Sequence, residues 1–297
     1  MIFINYYDEI KNELVNNEIT KKVKDYSKNR SDLTTYYNVG KLLSKAGKHY
    51  GEGIIKEYSK RLTNEFGTKF GITLLKRIRQ FYIVIEKGAT MSHQLSWSHY
   101  CELLPVNSID KINYYIKITK EQNLSIRELR TKIKNNEYER LDESTKEKLK
   151  EKEELKVPDL VKNPIQIKNT SGNNEISEKI LQKLILEDIP SFLKELGSGF
   201  SFIDNEYKIK MGDRYNYIDL LLYNIKYKCY VVVELKVTEL NSNHTGQIQK
   251  YMNYIDKNIK SIDNNKTVGI IICKKENRYV IEYCSDDRIL AREYELV

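Results

Sequence analysis

Residues 231–237 read VVVELKV, an apolar run of strand length with Glu234 and Lys236 set two positions apart inside it. Side chains alternate across a strand, so the two charges share one face and Leu235 points the other way. Taking two ions out of water costs roughly several kcal/mol each unless they pair well or line a solvated cleft. A lone E-x-K is satisfied by an edge strand with a salt-bridged polar face. The preceding apolar run, YIDLLLY (217–223), changes that reading, because Asp219 interrupts it 15 residues before Glu234. A short turn at Lys226-Tyr227 makes the two runs antiparallel neighbours, with Asp219 opposite the region of Glu234.

Two carboxylates converging this way repel one another unless a divalent cation lies between them. Hard oxygen ligands with retained waters are what Mg²⁺ prefers. An ion so held lowers the pKa of a bound water and stabilises charge on a phosphate. Lys236, on the same face, can orient that water or neutralise the developing charge. This is the PD-(D/E)xK pattern, written here as Ile218-Asp219 and Glu234-Leu235-Lys236 with isoleucine in place of proline. Gln247 and Tyr251 lie four apart on the next helix and share one of its faces, either as part of the cleft or as ordinary helix surface.

Outward from this core the second half reads as α/β. Residues 176–197 form an amphipathic helix that stops at Gly197, with Pro190 as a potential kink. Strands are expected over 200–210, 215–224, 229–237, 267–273 and 278–284, with a turn at Gly212-Asp213 and a helix over 244–259. The first half is helical by periodicity, over 5–29, 33–46, 53–65, 71–87, 94–104, 108–122 and 125–135. The charged stretch 141–156 reads as a solvated helix or hinge, and 157–175 as a linker or extended lead-in strand. These divide the chain into a helical domain, 1–155, and an α/β domain with a mixed sheet, 156–297.

The net charge of +8 is unevenly placed: residues 1–150 hold 28 Lys and Arg against 19 Asp and Glu, the rest 22 against 23. A basic helical half suits a polyanion, although lysine-rich solvated helices give the same count. Helices 53–66 and 72–86, joined by GTKFG, are similar to a helix-turn-helix. On the second, Ile72, Leu75, Ile78, Tyr82 and Ile85 make the expected buried stripe, and Thr73, Lys76, Arg77 and Gln80 face outward. Lys76, Arg77 and Gln80 are therefore the candidate DNA contacts. Trp97 is expected to pack in the core, and His93 and His99 to be structural or surface groups. Cys101, Cys229, Cys273 and Cys284 show no metal or disulfide spacing. No apolar run is long enough to span a membrane, and acids appear too early in MIFINYYDEIKNE for a signal peptide. A reduced, cytoplasmic protein without a small-molecule cofactor is expected.

The segment GSGFSFIDNEYKIKMGDRYNYIDLLLYNIKYKCYVVVELKVTELNSNHTGQIQKYMNYID resembles the C-terminal nuclease domain of the YhcG family of PD-(D/E)xK proteins. NVGKLLSKAG, LLKRIRQFY (74–82), QLSWSHYCELL (94–104) and SIRELRTKI (125–133) resemble that family's helical N-terminal domain. The resemblance covers nearly the whole chain. It implies a restriction-endonuclease-like fold, with catalytic Asp219, Glu234 and Lys236, and Gln247 beside them. It implies Mg²⁺ or Mn²⁺ held by Asp219, Glu234 and the Leu235 carbonyl, and a DNA substrate. Such domains often take a further acid from their first helix. Gln182 stands at the expected position, with Glu178 and Glu187 as potential substitutes. The expected function is a metal-dependent DNA endonuclease, in foreign-DNA defence or in repair and recombination. Cutting both strands would favour a homodimer. The alternative is a non-catalytic binding module on a nuclease scaffold.

Overall fold

The computed structural model describes residues 6–23, 28–51, 53–170, 176–284 and 286–297, without side chains at 19–23, 28–31, 68 and 284. The chain divides into two compact units, Met1–Tyr138 and Glu139–Val297. The first is helical: α1 (Tyr6–Val23), α2 (Lys28–Tyr50), α3 (Gly53–Phe66), a 3-10 turn (Thr68–Phe70), α4 (Ile72–Glu86), α5 (Trp97–Leu103), α6 (Ile109–Gln122) and α7 (Ile126–Lys134). Parts of the helix expected over 5–29, at 5 and 24–27, lie outside the described residues. Ser125 and Glu128 close a reciprocal cap at the start of α7, as their spacing dictates.

Two features of this unit follow from close packing. Trp97 lies 4.6 Å from the Tyr36 ring and 5.6 Å from the Phe81 ring, half-buried and packed against the core of this unit. Gly40 of α2 lets α4 approach closely, since a Cβ there would sit 2.5 Å from the Ile78 carbonyl oxygen and 2.6 Å from Tyr82 Cβ. Alanine would gain about 1 kcal/mol of helix propensity over glycine. A clash with a backbone oxygen forces the helices apart, and overpacking of this kind costs about 1–3 kcal/mol. Gly40→Ala is therefore expected to lower the midpoint of thermal unfolding. A raised midpoint by circular dichroism would mean that α2 and α4 do not depend on that contact.

The second unit holds α8 (Glu143–Glu151), α9 (Val157–Leu160), β1 (Ile165–Ile167), α10 (Glu178–Glu187), α11 (Ile189–Leu196), β2 (Phe200–Met211), β3 (Arg214–Asn224), β4 (Cys229–Leu235), α12 (Ser242–Asn258), β5 (Val268–Cys273), α13 (Arg278–Cys284) and β6 (Ile289–Leu296). Its sheet runs β1-β6-β5-β4-β3-β2. The β1/β6, β6/β5 and β5/β4 pairs are parallel, and β4/β3 and β3/β2 antiparallel. One face packs Leu181, Leu184, Phe192 and Leu196 of α10 and α11 against Val231, Val233, Ile270 and Ile272. The other packs Ile248, Met252 and Ile255 of α12 against Val232 and Ile271. The all-helical region followed by a mixed-sheet α/β unit is the expected fold class.

Four local readings are corrected. RYVIEYC (278–284) is the helix α13, not a strand. Tyr279 and Tyr283, four apart, are exposed, while Val280 and Ile281 pack against the α12 side of the sheet. The strand in that position is β6, whose sequence ILAREYEL hides it behind charges. Arg292 enters the interior because its guanidinium donates to the Val161 and Ala291 carbonyls and to Asp142. Residues 176–197 are two helices rather than one kinked helix, because Asp188 leaves helical geometry and caps α11 ahead of Pro190. Finally, residues 139–155 fold with the sheet unit: Arg140 pairs with Glu195, its carbonyl accepts from the Asn163 N–H, and Thr145 donates to Asp159.

Candidate active site

Ile218 and Leu220 on β3, and Val233 and Leu235 on β4, are all buried, and they fix the two strands on either side of their acids. The last paired residues are Leu220 and Val233. The next position outward is Asp219 on one strand and Glu234 on the other, where the ladder opens. There the Asp219 side chain replaces a backbone carbonyl: its Oδ2 accepts the Leu235 N–H at 2.7 Å. From the α10 side, Gln182 Nε2 donates to the Asp219 carbonyl at 3.1 Å.

Glu234 is 1% exposed. Its Oε2 accepts from Gln247 Nε2 at 3.0 Å and lies 3.5 Å from Lys236 Nζ. Its Oε1 is buried with no hydrogen-bond partner. An unsatisfied carboxylate oxygen in the interior is costly, and native structures rarely keep one without a reason. Gln247 also donates to the Tyr251 hydroxyl at 3.2 Å. Lys236 Nζ is 3.6 Å from Glu178 Oε2. The structure thus brings Asp219, Glu234, Lys236 and Gln247 together at the open end of the β3/β4 ladder, and adds Tyr251 and Glu178.

Glu178 is the α10 acid that reaches the cluster. Gln182, at the expected position, turns to the Asp219 backbone, and the acid one turn earlier on α10 reaches Lys236. Glu187 instead accepts from Thr170 and pairs with Lys183. The one-turn offset arises because α10 starts at Glu178, capped by Ser177, so Glu178 projects from its first turn.

The electrostatics match a site awaiting positive charge. Burial raises the Asp219 carboxyl above its ordinary value, against the pull of the Leu235 N–H and the Lys236 ammonium. Burial first, then the charge of Asp219, push the Glu234 carboxyl up to about 8, with Lys236 opposing. Burial and Lys236 also hold the His244 imidazole below its usual value. Among the described residues no three Asp, Glu, His or Cys side chains converge to hold an ion by themselves. Mg²⁺ rarely occupies an all-protein cage and takes a few carboxylates completed by a carbonyl, waters or phosphate oxygens, so two acids are a donor set of the right kind. The orphaned Glu234 Oε1 fits that ion.

The profile of the YhcG PDDEXK nuclease domain matches residues 158–297, and that of the DUF1016 N-terminal domain matches residues 9–140. The chain belongs to the YhcG family of PD-(D/E)xK nuclease-domain proteins. This YhcG-family chain is 24% identical over 330 residues to the Escherichia coli (strain K12) protein named "Putative nuclease YhcG", covering 95% of this chain and 88% of that protein. A repair endonuclease from Pyrococcus abyssi is 17% identical over 43% of this chain and 49% of its own, with a TM-score of 0.29. The structure of an EndoMS-dsDNA2 complex is 19% identical over 41% and 48%, with a TM-score of 0.29. The YhcG-family chain thus spans about half the length of either solved chain.

The other candidate residues lie in the helical unit of this YhcG-family chain. Lys76 and Arg77 are exposed on α4, and Arg77 sits beside the Cys101 thiol. Gln80 is exposed as well, but its amide donates to the Leu104 carbonyl at 2.7 Å. Ile72, expected in the buried stripe, is 37% exposed, and Phe81 takes the buried place. The α4 helix turns so that Leu75, Ile78 and Phe81 form the inner face. His99 is structural, bridging Ser96 and the Leu124 carbonyl. Among the described residues, no helix is long and apolar enough to cross a membrane.

Proposed function

We propose that this nuclease-domain protein is a divalent-metal-dependent DNA endonuclease that hydrolyses phosphodiester bonds at Asp219, Glu234 and Lys236. The observation that carries the reading is the buried, unpartnered Glu234 Oε1 beside Asp219, at the point where β3 and β4 part. Asp219, Glu234 and the Leu235 carbonyl would hold Mg²⁺ or Mn²⁺. When bound, such an ion supplies Lewis acidity to a phosphate and makes water a competent nucleophile near neutral pH.

The remaining work falls to the chain's own groups. The Leu235 N–H fixes one Asp219 oxygen, and Gln247 fixes one Glu234 oxygen, so both carboxylates are oriented before substrate arrives. The Lys236 ammonium, on the same strand as Glu234, orients the attacking water and offsets charge developing on the phosphorus oxygens. Glu178 keeps that ammonium directed into the cleft. Exposed Lys76 and Arg77 on α4 would contact phosphates or base edges; Gln80 would need to release Leu104 to join them. Two-strand cleavage would require a second copy of the site, and hence a homodimer.

The test is incubation of the full chain with plasmid, duplex, branched and single-stranded DNA, and with RNA, in Mg²⁺, in Mn²⁺ and in EDTA. Cleavage of DNA that appears with either ion and vanishes in EDTA is the expected result. Cleavage that persists in EDTA, or none on any substrate, would leave a binding module on this scaffold.

A further inference from the structure

Beyond the acid pair, β2 and β3 continue as a ribbon to the Gly212-Asp213 turn. One face of it is buried: Ile209 and Ile218 are 1% and 0% exposed. The opposite face carries two cross-strand pairs, Lys208 with Tyr217 and Lys210 with Tyr215. Tyr215 and Tyr217 are 55% and 52% exposed, unusual for rings on a sheet that has a core available. Lys208 Nζ lies 4.0 Å from the Tyr215 ring centroid. Asp219 follows Tyr217 by two residues and Tyr215 by four, about 7 and 14 Å along an antiparallel strand.

We propose that this outer ribbon face is the track for an unpaired strand of nucleic acid leading to the cleavage site. Bases stack on Tyr215 and Tyr217, and Lys208 and Lys210 hold the phosphates between them. The inference rests on the reading of Asp219 and Glu234 as the reaction centre, and adds a substrate class to it. Charge complementarity identifies the occupant: Lys208 and Lys210, both on β2, run alongside the two β3 rings, with their ammonium groups 4.0 and 5.9 Å from the Tyr215 ring centroid, and the inner end of the ribbon runs into the acids. The aromatic faces decide between strand and duplex. Stacking needs the flat side of a base, which a duplex conceals except at its ends, and aromatic platforms flanked by cations serve unpaired strands for that reason. The preferred substrate therefore has a single-stranded segment beside the scissile bond.

The test measures fluorescence anisotropy with the full chain in EDTA, on a labelled single strand and on the blunt duplex of the same sequence. The Tyr215→Ala/Tyr217→Ala variant should weaken single-strand binding about tenfold or more. It should leave duplex binding and the thermal midpoint nearly unchanged, and Tyr→Phe at both positions should restore single-strand affinity. Lys208→Ala/Lys210→Ala should flatten the slope of log affinity against log salt by about 1.4 on the single strand. Equal weakening on both ligands, no weakening on either, or an altered oligomeric state with unchanged affinity would overturn the proposal; the last would assign the face to a second copy. Cleavage in Mg²⁺ is read in parallel. A wild type that binds single strands through the tyrosines but cuts nothing would refute the hydrolytic reading and leave the ribbon assignment standing.

Discussion

Asp219→Asn is expected to reduce Mg²⁺-supported DNA cleavage about 10³-fold or more, with the fold intact. Asparagine keeps an oxygen that can accept the Leu235 N–H, so the β3/β4 opening survives. What is lost is negative charge opposite Glu234, and with it most of the attraction for a divalent ion. An ion at a phosphate is worth several kcal/mol of transition-state stabilisation, and about 4 kcal/mol corresponds to a factor near 10³. Lys236→Met separates two roles. The ammonium is no ion ligand, so metal binding by calorimetry should persist or tighten, while cleavage falls about 10²-fold or more. Loss of metal binding in Lys236→Met, or full activity in Asp219→Asn, would assign the chemistry elsewhere.

The second large effect is on pH-dependent stability. Glu234 carries its proton up to about 8 in the folded, metal-free chain, against an ordinary value of 4.5. Between those values the folded state holds a proton that the unfolded state releases, so stability falls as pH rises through that window. Below the lower value the penalty is absent, and above the upper it is complete. The slope approaches about 1.4 kcal/mol per pH unit in mid-window. Asp219, raised in the same direction, adds to it. Glu234→Gln removes the ionisation and keeps the shape. Its metal-free midpoint should therefore exceed that of wild type by about 5 °C or more at pH 8, and the gap should close towards pH 5. Adding Mg²⁺ should raise the wild-type midpoint and leave the variant nearly unmoved. A gap independent of pH would mean that Glu234 is not the group that titrates.

The sequence made the centre of the site legible because strand geometry leaves little freedom there. Charges two apart in an apolar run share a face, and a four-residue turn sets which residues oppose them. That reasoning places Asp219 opposite the region of Glu234; the coordinates add that the ladder's last pair is Leu220 with Val233, so both acids stand at the next position. Gln247 and Tyr251 were visible as a helical pair, although only coordinates show one amide bonding both the acid and the phenol. That Glu178, one turn before Gln182, is the α10 acid near Lys236 depends on where the helix starts, which the Ser177 cap sets. Residues 278–284 misled because Tyr, Val and Ile favour strands, and seven residues are too few to reveal a period. β6 was concealed by Arg292, whose partners Val161 and Asp142 lie far away in sequence. Gln80 shows the limit of outward-facing logic on a helix: an exposed backbone position does not stop a long amide from turning to a neighbouring carbonyl.

Anomalous scattering from crystals grown in Mn²⁺ tests the shared ion most directly. The predicted result is a peak within coordination distance of Asp219 and of Glu234 Oε1, absent from Asp219→Asn crystals under the same conditions. A wild-type map with no peak there, at saturating Mn²⁺ and with Oε1 still unpartnered, would contradict it.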